Sequence, residues 1–141
     1  MSKYNFSEEE MRSHFITSNQ TAGRELRTEV PVFCRSVDLV VYNKREKEIT
    51  AIEFKLSNWR RAIIQVLQVT CCFDFLEICI PLPATQKGKD SVISECNNYG
   101  IGVIFYDSSK GTFEESLKPK HISEIWEVQK NRVLEYLGGN M

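Results

Sequence analysis

Apolar residues recur at helical spacing in four stretches of the chain. Ser7 followed by Glu10 has the spacing of a capping box, which predicts that a helix begins there. A second helix is predicted from Ser57 or Asn58 to roughly Phe73, because its apolar residues lie three and four positions apart. Two more helices are predicted at residues 89–98 and 121–137, the last with an inward face of Ile122, Ile125, Trp126, Val133 and Leu137.

Short apolar runs between these helices predict strands. Pro31 favours an edge position for the first strand, since proline cannot donate a hydrogen bond to a neighbouring strand. A charged six-residue connector joins the second and third runs and predicts an antiparallel hairpin. A helix between the third and fourth runs predicts a βαβ crossover with parallel strands. The predicted strands cover residues 24–34, 37–42, 49–56, 76–81, 101–106 and 111–117. The pattern therefore predicts an α/β fold with a mixed central sheet flanked by helices.

Length and charge narrow the expected class of protein. A chain of 141 residues is long enough for one substantial core and predicts a single domain, residues 1–141. The net charge of −1 gives no global basic signal. Any nucleic-acid binding would therefore depend on local positive charge and on bound metal.

The cysteines and the apolar runs bear on location. Five cysteines without a CxxC pair, an odd number, argue against a disulfide framework and favour free thiols in a reducing compartment, with zinc binding as a minor alternative. No apolar run reaches transmembrane length and the N-terminus lacks the apolar core of a signal peptide. We expect a soluble, cytoplasmic protein that does not bind membranes.

Two acids and a lysine interrupt the apolar strands of the predicted hairpin. If Tyr42 faces Ile49, the register places Asp38 directly opposite Glu53 on one face. Lys55, two residues beyond Glu53, is directed to that same face by strand periodicity. The opposite face is then a core surface of Val37, Leu39, Val41, Ile52, Phe54 and Leu56.

The opposed carboxylates indicate a metal site. Charged groups in such surroundings are costly to bury unless they are paired or bind a metal. Asp38 and Glu53 repel each other unless positive charge lies between them. Mg²⁺ and Mn²⁺ fit this position, because hard cations prefer carboxylate oxygens and keep waters for chemistry.

An aspartate on one strand and Glu-x-Lys on the next, within a hairpin and a βαβ crossover, resembles the PD-(D/E)xK nuclease superfamily. This superfamily includes restriction enzymes and Holliday-junction resolvases. Asp38 matches its first acid, Glu53 its second acid and Lys55 its lysine. Gln65 matches a glutamine that is common in one large branch. The resemblance covers about residues 25–106, and it implies a restriction-endonuclease-like fold.

The resemblance also implies an activity and roles for these residues. The expected reaction is Mg²⁺- or Mn²⁺-dependent hydrolysis of DNA phosphodiester bonds, with DNA preferred over RNA on family grounds. Asp38, Glu53 and the Phe54 backbone carbonyl would hold the metal, and Lys55 would either activate water or stabilise transition-state charge. A homodimer is compatible with this reading, because double-strand cleavage usually needs two sites.

Further residues are secondary candidates for the same site. The family often takes one more acid from the first helix, and in this chain several acids could fill that place: Glu8, Glu9, Glu10, Glu25 or Glu29. Glu29 is the preferred cleft candidate among the strand acids. Arg60 and Arg61 open the second helix and are candidates for phosphate binding.

Two other functions stay open. The charged triplet could be the solvated face of an amphipathic hairpin, as in a nucleic-acid-binding module that has a retired nuclease fold. The same fold could also belong to an RNA-directed nuclease. A metal-dependent cleavage assay separates the first alternative from an active nuclease, and a panel of DNA and RNA substrates separates the second.

Overall fold

The structure is a computed structural model that describes residues 4–33 and 35–139. It is an α/β fold in which four helices flank a six-stranded mixed sheet. The helices are α1 (Glu8–Asn19), α2 (Trp59–Leu67), α3 (Gln86–Tyr99) and α4 (Glu127–Gly139). The strands are β1 (Arg24–Val32), β2 (Arg35–Asn43), β3 (Glu48–Phe54), β4 (Phe75–Pro81), β5 (Gly102–Asp107) and β6 (Thr112–Leu117).

The strands lie in the sheet in the order of the sequence. β1, β2 and β3 form an antiparallel meander, β3, β4 and β5 are parallel, and β6 returns antiparallel to β5. The edge position predicted for the strand with Pro31 is confirmed, as are the hairpin and the parallel crossover. Because β3 is paired on both sides, its polar residues lie in the centre of the sheet.

Each face of the sheet is covered by its own hydrophobic cluster. α1 covers one face with Met11 and Phe15, which pack with Leu39 of β2 and Ile52 of β3. The other face is covered by α2, α3 and α4 through a larger cluster whose helical members are Ala62, Ile63, Val66, Val92, Cys96, Val133 and Leu137. We call these the α1 face and the α2 face.

The local sequence determines where α1 begins. The Ser7 hydroxyl accepts a hydrogen bond from the Glu10 N–H, and the Glu10 carboxylate accepts one from the Ser7 N–H, each at 3.0 Å. The predicted capping box is therefore present, and it satisfies two N–H groups that the helix itself leaves unpaired. Met11 and Phe15, one helical turn apart, bury the face of α1 that contacts the sheet.

The second helix is shorter than predicted. α2 ends at Leu67 instead of continuing to Phe73, and a 3₁₀ turn follows at Thr70–Cys72. The Thr70 hydroxyl donates to the Leu67 carbonyl at 2.7 Å, which satisfies a group at the helix end. The chain must turn here because the Asp74 N–H donates to the Ile49 carbonyl at the start of β3.

The C-terminal helix also begins later than predicted. Residues 118–126 are not helical, and α4 starts at Glu127. Backbone hydrogen bonds from Ile122 to Asp74 and from Trp126 to Cys71 hold this segment along the sheet. Trp126 was wrongly predicted to point inward, since it is 63% exposed, whereas Val133 and Leu137 are buried as predicted.

The described cysteines have no disulfide. Cys72, Cys79 and Cys96 are buried free thiols and Cys71 is half-buried, in agreement with the prediction; Cys34 lies outside the described residues. Within residues 4–33 and 35–139, no helix combines the length and apolar character needed to cross a membrane.

Candidate active site

The β2–β3 register brings Asp38 next to Glu53. Tyr42 pairs with Ile49 as predicted, and the register continues to Leu39 opposite Ile52, where the ladder ends. One step further, the Phe54 N–H donates to the Asp38 carboxylate at 2.9 Å. The Asp38 side chain therefore binds the backbone of β3 at the point where β2 and β3 stop pairing.

An irregularity in β1 lies beside Asp38. The β1–β2 register places Glu29 opposite Asp38, and Glu29 has a φ of 52°, in the left-handed region that non-glycine residues rarely adopt. Val37 was expected on the face of Leu39, and this is wrong: Val37 packs in the cluster of the α2 face with Val40. The break in strand geometry at Glu29 explains why the alternation of faces is lost at this point.

Glu53 is a buried carboxyl group in the centre of the sheet. Its side chain is only 1% exposed. Burial raises the pKa of Glu53, and the hydrogen bond and negative charge of Asp38 raise it further. Arg35 and Lys55 lower it, and the resulting pKa is about 8. Arg35 and Lys55 therefore only partly compensate the burial of Glu53 and the negative charge of Asp38.

Arg35 forms the direct ion pair with Glu53, and sequence analysis missed it. Its guanidinium donates to a Glu53 carboxylate oxygen at 2.7 Å and to the Gln68 side-chain oxygen at 2.9 Å. The Arg35 Nε atom is buried and has no hydrogen-bond partner within the described chain. Arg35 stands three residues before Asp38 on β2, so a search for a cation to pair with a buried acid could have found it.

Lys55 and Glu8 lie at the C-terminal end of β3. Lys55 is half-buried and near enough to Glu53 to lower the pKa of its carboxyl group. The Glu8 carboxylate accepts a hydrogen bond from the Leu56 N–H at 3.0 Å. Glu10 is engaged in the helix cap instead. Of these two acids of the first helix turn, Glu8 is therefore the one that reaches the strand of the Glu-x-Lys motif.

The other predicted residues are not joined to the carboxylate pair. Gln65 is half-buried on α2, and within the described residues no hydrogen bond links its side chain to Asp38 or Glu53. Gln68, close to one helical turn later, is the glutamine that reaches the pair, through Arg35. Glu29 is 68% exposed and pairs with Arg12 at 3.6 Å, so its assignment to the cleft is not supported.

The remaining candidates lie elsewhere. Arg60 stacks on the ring of Trp59 at 4.1 Å and lines a shallow depression against α3. Arg61 is exposed on α2. Glu25 pairs with Arg27 at 2.9 Å within β1. Among the described arginines, Arg35 is the one that forms an ion pair with Glu53.

The acidic donors at the site are two carboxylates, those of Asp38 and Glu53. Among the described residues, no cluster of three or more His, Cys, Asp or Glu side chains is placed to hold a metal ion. Asp38 and Glu53 supply two carboxylates, and Mg²⁺ is often bound by one or two carboxylates together with waters and substrate phosphates. The raised pKa of Glu53 is the observation that favours a cation, because added positive charge would stabilise its ionised form.

Comparison with known proteins shows the fold alone. No protein-family model and no curated protein matches this chain. A solved structure that is similar is the SPO1766 protein of unknown function from Silicibacter pomeroyi. The alignment has a TM-score of 0.69 and 14% identity and covers 97% of this chain and 88% of that chain. The arrangement of helices and sheet is thus shared with a solved protein.

Proposed function

We propose that this protein is a metal-dependent nuclease with a restriction-endonuclease-like fold, and that it hydrolyses DNA phosphodiester bonds. The observation that carries the proposal is the contact between the buried Glu53 carboxyl group and Asp38 where the β2–β3 ladder ends. Lys55 lies two residues after Glu53, directly beyond the end of β3. This arrangement agrees with the order Asp, Glu-x-Lys on which the resemblance to the PD-(D/E)xK superfamily rests.

Asp38 and Glu53 would hold Mg²⁺ or Mn²⁺, with the Phe54 carbonyl as an additional ligand. When bound, the metal lowers the pKa of a bound water and neutralises charge on the phosphate. Asp38 is held in place by its hydrogen bond from the Phe54 N–H, and Glu53 is held by burial. Pre-organised ligands of this kind lose little conformational freedom when a cation arrives.

The Lys55 ammonium group would supply a proton donor and a positive charge beside these acids. It would orient or deprotonate the attacking water, or stabilise the negative charge that develops on the phosphate. The preference for DNA over RNA, and a possible homodimer, rest on the family resemblance alone.

The Arg35–Glu53 ion pair favours a second candidate function. A guanidinium at 2.7 Å already neutralises part of the charge that a metal would neutralise. If Arg35 and Glu53 stay paired permanently, the site does not bind a metal and does not cleave. The protein would then be a nucleic-acid-binding module with a retired nuclease fold. In the proposed nuclease, the cation instead competes with Arg35 for Glu53.

Arg35→Gln should therefore bind Mn²⁺ more tightly than the wild type. The substitution removes the competing charge and keeps a group that can hydrogen-bond to Gln68. We expect the affinity for Mn²⁺ to rise by about tenfold or more, since loss of a close charged partner is worth more than 1 kcal/mol. Calorimetry with Mn²⁺ measures this directly, and Arg60→Gln is the matched control because Arg60 stacks on Trp59. Weaker binding by Arg35→Gln alone would show that Arg35 organises the site.

Lys55→Ala should lose most cleavage and still bind Mn²⁺. A protonated lysine offers no lone pair to a metal, so its removal leaves the ligands intact and removes a nearby positive charge. Lys55→Arg should restore little activity, because guanidinium differs from ammonium in shape and does not deprotonate water. Calorimetry and a cleavage assay on the same samples separate the two effects. Loss of Mn²⁺ binding as complete as in Glu53→Ala, with an intact fold, would assign Lys55 to the metal site.

A further inference from the structure

A second polar site lies on the α1 face of the sheet. A cavity of about 190 Å³ opens there, and Asn19 at the end of α1 lies in its wall. Its apolar lining includes Ile52 and Ile104, which belong to the cluster of the α1 face. Ile52 and Glu53 are neighbours on β3 and point to opposite faces. The cavity and the Asp38–Glu53 pair are therefore on opposite sides of the sheet.

Glu77 lines this cavity. It lies on β4 between Leu76 and Ile78, which both pack in the cluster of the α2 face, so Glu77 points to the α1 face. Glu77 is only 9% exposed, and within the described chain its Oε2 atom is buried without a hydrogen-bond partner. A buried carboxyl group without a hydrogen-bond partner costs free energy, and a cation beside Glu77 would offset part of that cost.

The charges around Glu77 are predominantly negative. Glu48 and Glu115 line the same cavity, and Arg24 is the cation among its lining residues. Burial raises the pKa of Glu77, and the negative charge of Glu115 raises it further. Arg24 lowers it, and the resulting pKa is about 7. Positive charge placed in the cavity would oppose both burial and repulsion.

We propose that this cavity binds a small organic cation, an amine, amidine or guanidine on a short apolar body, with Glu77 as its counterion. The charged head of the ligand would pair with the Glu77 carboxylate, and its body would pack on Ile52 and Ile104. The apolar residues of the lining, Ile52 and Ile104 among them, favour an organic cation over a bare metal ion. The volume is below the roughly 300–1,000 Å³ of pockets for drug-sized ligands, so the ligand is the size of a fragment.

Calorimetry with benzamidine on the full chain at pH 8 tests this proposal. Benzamidine combines a flat apolar ring with an amidinium group that can donate twice to a carboxylate. We expect saturable binding to the wild type, and binding weaker by about tenfold or more in Glu77→Gln, because the charged hydrogen bond is lost. Benzamide, which is uncharged, should also bind at least about tenfold more weakly.

Two further variants separate binding in this cavity from other effects. Glu53→Gln, on the opposite side of the sheet, should bind benzamidine like the wild type, whether or not the protein is a nuclease. Thr50→Phe keeps Glu77 and fills part of the cavity that Thr50 lines, so it should also lose binding even if Glu77→Gln does not fold. Absence of binding to the wild type, or equal binding by the wild type and Thr50→Phe, would overturn the proposal.

Discussion

Replacing Asp38 or Glu53 with alanine should reduce Mg²⁺- or Mn²⁺-dependent DNA cleavage by more than about 100-fold. Removal of groups that only support metal ligands typically costs 10- to 100-fold, and removal of a ligand itself should cost more. Purified wild-type protein should nick or degrade DNA with either metal and stop in EDTA. Gel-based cleavage of plasmid and linear DNA measures both results.

Glu29→Ala is the matched control for these substitutions. Glu29 lies opposite Asp38 in the register and is also an acid, but its side chain is 68% exposed. We expect Glu29→Ala to retain cleavage near the wild-type rate. If Asp38→Ala or Glu53→Ala did the same while folded, the assignment of the active site would be wrong.

The metal-free protein should lose stability as the pH rises from about 5 to about 9. The pKa of Glu53 is about 8 in the folded protein and 4.5 in its unperturbed state. Between these values the folded state keeps a proton that the unfolded state releases, so the free energy of unfolding falls with rising pH. At 1.36 kcal/mol per pKa unit the loss is on the order of 5 kcal/mol. Glu77 adds a loss of the same sign between 4.5 and about 7.

Chemical denaturation at a series of pH values measures this loss. Glu53→Gln should reduce the slope between about pH 5 and pH 8 and leave the curve nearly flat above about pH 7, where Glu77 no longer contributes, because glutamine does not ionise. If stability changed with pH in the same way in the wild type and in Glu53→Gln, ionisation of Glu53 would not destabilise the folded protein.

At pH 8, a bound divalent metal should restore part of the stability that the metal-free protein loses. Mn²⁺ at 100 times its dissociation constant should stabilise the wild type by about 2.7 kcal/mol. Asp38→Asn should be at least as stable without metal, because the repulsion is relieved, and should respond little to Mn²⁺. Equal stabilisation of wild type and Asp38→Asn would remove the link between the two acids and the metal.

The local features of the sequence predicted most of the sheet and the acid pair. The predicted hairpin assumed that Tyr42 faces Ile49, and that pairing is observed, but Val37 lies on the opposite face from the one expected. The start of α1 followed from Ser7 and Glu10, which act within one helical turn. Interactions of this kind depend on near neighbours and are visible in the sequence.

Features that depend on distant contacts were not predicted. α2 ends at Leu67 because the chain must return to β3, a requirement that helical periodicity does not contain. The ion-pair partner of Glu53 was missed because Arg35 is three residues before Asp38 on β2. It is therefore not the residue that the predicted hairpin register places opposite Glu53. The positive φ of Glu29 and its ion pair with Arg12 were also not visible in the sequence, because strand periodicity assumes regular backbone geometry.

A crystal structure of the protein soaked in Mn²⁺, with anomalous diffraction data, tests the central claim most directly. We predict a manganese peak bonded to the Asp38 and Glu53 carboxylates, with the Arg35 guanidinium moved away from Glu53. The contradicting result is an intact Arg35–Glu53 ion pair at saturating Mn²⁺, with no anomalous peak between the two acids.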